Sequence, residues 1–188
     1  DKIDLNFNGY EFKIRPGDKF LFADDVFNLL PELVKSRFEL AHSVLPPFYK
    51  GEPLNGKTLL VVAQAAIGDA LCMTPALREI KKLYPQVTLN VSISGKARPV
   101  LEGLPYIDNL LSMPISFKEV SKADYIVKTI EMVNTPQFDN LSLIDYYLWK
   151  LYIYKAEKET PDVQIDEAVL NEMKEAFQKI REASGGKK

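Results

Sequence analysis

Four consecutive apolar residues, Leu59 to Val62, run into a stretch of small residues that carries one glycine and one acid, Gly68-Asp69, before a helical pattern takes over. A short buried strand delivered through a small-residue turn into a helix is how a β-α-β unit begins, and it constrains the chain more than any other feature. The alternation continues downstream. Pro75 to Tyr84 has helical periodicity, Val87 to Ile93 reads as a second strand, and Ala97 to Glu102 as a short helix ahead of Gly103. Ile107 to Leu111 is a third extended element, and Tyr125 to Ile130 a fourth strand after a turn around Ser116 to Ala123. The expected fold class is therefore α/β: a Rossmann-like parallel sheet with helices on both faces and right-handed crossovers.

The flanks read differently. Ile3 to Phe7 and Tyr10 to Ile14 alternate apolar and polar residues around Asn8-Gly9, the signature of a tight hairpin. Asp24 and Asp25 precede an apolar pattern through Phe27, Leu30, Leu33, Val34, Phe38 and Ala41, which predicts one or two helices with Pro31 at the break or first turn and Pro46-Pro47 as the stop. Leu141 to Tyr154 predicts a buried, aromatic-rich helix, and Asp166 to Ala183 an amphipathic one with Val169, Met173, Phe177 and Ile180 on a stripe. Lys155 to Pro161 between them reads as a solvated, charged linker. The expected organisation is a hairpin-and-helix extension over 1–56, a Rossmann-like domain over 57–184, and the start of a connection over 185–188. Among the apolar residues of the extension, Phe20, Phe22, Phe27, Leu30, Leu33 and Phe38 are too many to leave wet, so the extension is expected to pack on the domain.

Charge and cysteine content narrow the function classes. Lys and Arg number 24 against 26 Asp and Glu, so no broad positive field draws the chain to nucleic acid or anionic lipid. A single cysteine, Cys72, leaves no intrachain disulfide and no cysteine-based zinc cluster, in keeping with a reducing compartment. The run from Thr58 to Leu71, interrupted by Gln64, Gly68 and Asp69, is too short to span a bilayer. The start at Asp1, with no signal-peptide pattern after it, reads as that of a fragment.

In an open parallel sheet, ligands bind beyond the carboxyl ends of the strands, and Asp69 falls at that edge. A carboxylate there can accept a proton from a sugar hydroxyl as a leaving group departs. The same position also suits a helix N-cap, for which Asp is a favoured residue. With one glycine the turn lacks the G-x-G-x-x-G array that holds a dinucleotide pyrophosphate, so nicotinamide chemistry is disfavoured.

Three motifs in order, Ala66-Ile67-Gly68-Asp69, Thr74-Pro75-Ala76-Leu77-Arg78 and Tyr84-Pro85, resemble the opening of glycosyltransferase family nine, the heptosyltransferases. The similarity continues through Ala97-Arg98-Pro99-Val100-Leu101, Pro105-Tyr106-Ile107-Asp108 and Met113-Pro114, from about Lys57 to the C-terminus. The resemblance implies one half of a GT-B fold, the acceptor-binding N-terminal domain, with Asp69 as catalytic base and Ala66, Ile67, Gly68, Thr74, Lys96 and Arg98 in contact with substrate. It implies an inverting transfer from a nucleotide-activated donor, ADP-heptose, to lipopolysaccharide or another glycan, the donor being held by a C-terminal domain this chain lacks. It implies no cofactor and no metal, there being no D-x-D-like pair in the motif region. A cytoplasmic location with peripheral contact at the inner face of the membrane is also implied. One departure stands out. Many members have a basic residue at the end of the first strand, where this chain has Ala63-Gln64, so Lys96 and Arg98 are the candidates to supply charge, against the plainer reading of a solvated loop.

A second function class remains open: a non-catalytic Rossmann-like binding or assembly module that uses the extension and the aromatic helix as its interface. The lone His42 sits in an apolar pattern and reads as structural, and Cys72 and Met73 as packing against the sheet. The aromatics Tyr146, Tyr147, Trp149, Tyr152 and Tyr154 suit sugar stacking or, more simply, a core or covered face.

Overall fold

The computed structural model describes residues 3–7, 10–21, 27–28, 30–39, 45–63, 66–93, 95–129, 140–163, 171, 174–175 and 178. A four-stranded parallel sheet is built from β4 (Thr58–Ala63), β5 (Thr88–Ile93), β6 (Asn109–Leu111) and β8 (Tyr125–Lys128), in the spatial order β6-β5-β4-β8. Strand order thus runs outward from β4 through β5 and β6, then reverses to place β8 on the other side of β4. That is the doubly wound arrangement, with its reversal point between β4 and β8.

β4 has five successive buried residues because it is central and covered on both faces. Its side chains divide with period two. Leu59, Val61 and Ala63 join one apolar cluster with Met73, Leu77, Ile80 and Tyr146, under α2 (Ile67–Leu83), α3 (Arg98–Leu101) and α5 (Leu143–Lys150). Leu60 and Val62 join another with Met113, Ile115, Val120 and Ile126, under α4 (Phe117–Val120) and the two-stranded antiparallel ribbon of β3 (Phe20–Leu21) and β7 (Ile115–Ser116). No helix among the described residues is long and apolar enough to cross a membrane.

The hairpin forms as expected, β1 (Ile3–Phe7) against β2 (Tyr10–Ile14), although its Asn8-Gly9 turn lies outside the described residues. Of the helical expectation at 24–41, the described helical residues are Phe27 and Asn28 and, entered through Pro31, α1 (Glu32–Lys35). Parts of the extension, around residues 19–21 and 45–54, are built into the domain, whereas Leu33, expected to be covered, is 72% exposed. Pro47 O accepts from Ile126 N and Tyr49 N donates to Ile126 O, both at 3.0 Å, so residues 47–49 run along the outer edge of β8. Leu21 and Leu45 cover one cluster, and Tyr49 and Leu54 are buried in the other.

Two aspartates fix the lower edge of the sheet in the same way. Asp108, before β6, accepts from the Leu89 amide and from Lys81 Nζ, each at 2.7 Å; Asp124, before β8, accepts from the Thr58 amide at 2.8 Å and Lys57 Nζ at 3.1 Å. The Thr58 amide, then Lys57, holds the Asp124 carboxyl below its ordinary range. A carboxyl depressed on folding stabilises fully above its unfolded pKa and loses that contribution as pH falls through the folded value. Asp124→Ala should therefore cost about 1 kcal/mol near neutrality. The deficit should shrink below about pH 4, which urea unfolding at pH 7 and pH 3 will show.

One expectation is refined and one corrected. The helix that follows Gly68-Asp69, whose periodicity was read from Pro75, begins at Ile67, with Pro75 inside it. The segment read as a solvated charged linker is strapped to α2: Arg78 bonds the Lys158 carbonyl and the Asp162 carboxylate, and reaches Thr160 O at 3.4 Å, while Ala156 is buried. The amphipathic helix expected over 166–183 lies mostly outside the described residues, of which 171, 174, 175 and 178 are helical. His42 also lies outside them.

Candidate functional site

The carboxyl ends of β4 and β8, at the point where strand order reverses, open onto the N-terminus of α2. Ala66 is the N-cap in extended backbone, and Ile67, Gly68 and Asp69 form the first turn. Alanine has no side-chain acceptor, so only the reciprocal half of a capping box is present: Asp69, at the third helical position, accepts from the Ala66 amide at 3.0 Å through Oδ2. The expectation that Asp69 is either a base or an N-cap is thereby refined. It caps from inside the helix with one oxygen, and its side chain remains partly exposed.

Ile67 is 55% exposed, large for an isoleucine, and Gly68 is exposed beside it. A Cβ built at Gly68 would meet nothing within 4 Å, and its backbone is helical, so neither the turn nor the packing of this chain demands glycine there. Gln64 and Ala65 lie outside the described residues. Thr129, just past β8, is buried beside the end of β4, with its amide 3.1 Å and its hydroxyl 3.4 Å from Val62 O.

Below the lip, α5 brings Tyr147 against this end of α2. Burial first, and then the nearby Asp69 charge, push the Tyr147 phenol far up, so it holds its proton throughout the physiological range. The same two causes raise the Cys72 thiol, which is therefore a poor nucleophile. The nearness of Tyr147 and Thr129 to this lip was not legible: Tyr147 sits in a helical aromatic pattern that suits sugar stacking or core alike, and Thr129 carries no motif.

Lys96 and Arg98 follow β5 and so lie at the same edge of the sheet, one strand over from Asp69. Lys96 is exposed. Arg98 is turned the other way, with NH1 3.2 Å from Leu110 O and Nε 3.4 Å from Glu102. Thr74 is not brought to the lip at all. It is fully buried, its Oγ1 donating to Leu71 O and accepting from the Asp162 amide, each at 2.8 Å. The structure thus gathers Ala66, Ile67, Gly68 and Asp69 at the reversal point, sets Lys96 along the same edge, and employs Thr74 and Arg98 in holding the fold.

No protein-family model matches the chain, and no curated protein is recognisably similar to it in sequence. Among solved structures, the chain is similar to a glycosyl transferase family 9 protein from Veillonella parvula DSM 2008, at 15% identity and a TM-score of 0.48, over 72% of this chain and 51% of that one. It is similar also to the ADP-heptose lps heptosyltransferase II of E. coli, at 14% identity and a TM-score of 0.44, over 64% of this chain and 50% of that one. The chain spans about half the length of these structures.

Proposed function

We propose that this chain is the acceptor-binding half of an inverting glycosyltransferase that moves heptose from ADP-heptose to a hydroxyl of lipopolysaccharide core or a related glycan, on the cytoplasmic side and at the inner face of the membrane. The observation that carries the reading is the placement of Asp69: a partly exposed carboxylate at the carboxyl end of the central strand, where the strand order reverses, with one oxygen anchored to the Ala66 amide. Oδ1 is left to take the acceptor proton. As that O–H bond breaks, the hydroxyl oxygen forms its bond to the anomeric carbon from the face opposite ADP, and ADP departs with the electron pair of the broken glycosidic bond. Tyr147, kept protonated, packs behind the base, and Lys96 offers positive charge along the same edge. A single sheet edge supplies one wall of such a site; the donor half supplies the other and excludes water.

The test is a transfer assay on the protein that contains this chain and its donor half, with ADP-heptose and lipopolysaccharide core oligosaccharide. Release of ADP matched by growth of the acceptor by one heptose is the expected result; saturable acceptor binding without transfer would favour the non-catalytic module. Gly68→Ala makes the reading specific. Because a methyl there meets open space and the backbone is helical, the variant should be more stable by about 0.5–1 kcal/mol. The same methyl would stand where acceptor and donor meet, so kcat/KM should fall by about tenfold or more. A stabilised variant with unchanged kcat/KM would remove Gly68 from the site.

A further inference from the structure

Along the outer edge of β8, residues 48–50 and the C-terminal end of α5 enclose a cleft of about 520 Å³. Among the described residues it is lined by Phe48, Lys50, Lys128, Trp149, Lys150 and Tyr152, over a floor of β8 backbone and Tyr49. The volume is that of a small-molecule site. Phe48, Trp149 and Tyr152 are each about half exposed, at 50%, 47% and 51%. Three large aromatic faces left open on one concavity, ringed by ammonium groups, mark a binding surface rather than a packing residue.

The cleft is also built. Tyr152 is the one described residue other than glycine with positive φ, at 57°, immediately after the end of α5 where glycine is the usual choice. Its ring is held edge-on to the buried Tyr49 at 5.6 Å and lies 3.4 Å from where a Cβ of Gly51 would stand. Gly51, itself at φ 94°, is thus the residue that lets the ring in. A strained backbone held by its surroundings at the wall of a cleft points to use of that wall.

The chemistry of the walls selects the ligand. Lys128 Nζ lies 5.7 Å from the Phe48 ring centroid and Lys150 Nζ 5.6 Å from that of Trp149, so cations and aromatic faces alternate. Lys50 adds a third ammonium, while the acid in its turn, Glu52, accepts from the Lys50 amide at 2.7 Å. A nucleobase is best held between two parallel rings, whereas Tyr152 meets the floor residue Tyr49 edge-on, at 86°. A sugar needs only one exposed ring, against which it lays an apolar C–H face while its hydroxyls stay wet.

We propose that this cleft binds an anionic saccharide, its ring against Trp149 or Tyr152 and its phosphate or carboxylate between Lys50 and Lys128. Asp69 is not among the residues that line the cleft, and the test needs no transfer reaction. Trp149 is the only tryptophan in the chain, so its emission reports on the cleft alone. The 188-residue chain is titrated with glucose 6-phosphate, glucose, inorganic phosphate and AMP. The expected result is a saturable change with glucose 6-phosphate at concentrations about tenfold below those needed for glucose or inorganic phosphate. Lys50→Gln with Lys128→Gln should weaken it about tenfold, and Lys155→Gln, outside the cleft, should leave it unchanged. If the double variant loses its far-ultraviolet circular dichroism, Lys50→Gln alone, on an exposed loop, carries the comparison. Equal response to inorganic phosphate would reduce the site to an anion contact and overturn the saccharide assignment. Tighter binding of AMP, insensitivity to both lysine substitutions, or no saturable change with any probe would overturn it as well.

Discussion

Asp69→Asn, on the proposed role of Asp69 as base, should lower the kcat of sugar transfer by at least roughly a hundredfold while leaving acceptor KM and the melting temperature close to their original values. The argument rests on the two oxygens of one side chain. Oδ2 accepts from the Ala66 amide, and asparagine retains a carbonyl oxygen that can accept the same bond at the same length. What asparagine loses is the ability to take a proton, which a positioned general base contributes at about 10²–10⁴-fold. It also loses a charge near the N-terminus of α2, worth about 0.3–1 kcal/mol of stability. Asp69→Ala completes the comparison, because it removes cap and base together. The catalytic reading requires Asn and Ala to be similarly inactive but unequally stable. Near-normal kcat in Asp69→Asn would leave Asp69 as a helix cap, and the binding-module reading would then lead.

How far the sequence carried the fold depends on the length over which each signal repeats. β1, β2 and β4 were legible within a residue because alternation or a continuous apolar run spans five or six positions. The β3–β7 ribbon was not, since two residues have no period to read, and it is fixed by the surface of Leu60 and Val62 that it covers. The helical pattern of α2 was legible only from Pro75, eight residues after the helix begins, for a chemical reason. Proline is at home in the first turn of a helix and costly inside one. Here its cost is offset locally, because the Thr74 hydroxyl donates to the Leu71 carbonyl that Pro75 cannot serve. The strap over 155–163 was read as solvated because its side chains are charged, whereas backbone carbonyls make much of the attachment to Arg78.

The candidate site divides along the same line. Ala66 to Asp69 are contiguous in sequence, so a motif could announce them, and the topology sets them at the strand reversal. Tyr147 is 78 positions from Asp69 and Thr129 follows another strand, so only the packing of α5 on α2 and of β8 on β4 brings them in. The cleft beside β8 shows the converse. Its aromatics were visible as a helical cluster, yet the sequence does not say that Tyr146 and Tyr147 turn inward while Trp149 and Tyr152 turn out toward Lys128 and Lys50.

Thr74→Val should be among the most destabilising conservative substitutions in the chain, at about 2–4 kcal/mol. Valine has the shape of threonine, so the fully buried site keeps its volume and the change isolates the hydroxyl. That hydroxyl serves two groups at 2.8 Å: the Leu71 carbonyl, whose helical donor Pro75 cannot provide, and the Asp162 amide, which ties the strap to α2. Each group left buried without a partner costs about 1–3 kcal/mol. For a chain of this size the melting temperature falls roughly 2–4 °C per kcal/mol, so the loss is large on a calorimetric scan. Thr74→Ser keeps both hydrogen bonds and gives up one methyl group, worth about 0.8 kcal/mol, and should lie close to wild type. Because the hydroxyl faces the strap rather than the strand reversal, whatever Thr74→Val remains folded should keep its acceptor KM. A variant with unchanged stability and a raised acceptor KM would reverse the assignment, returning Thr74 from the strap to the substrate.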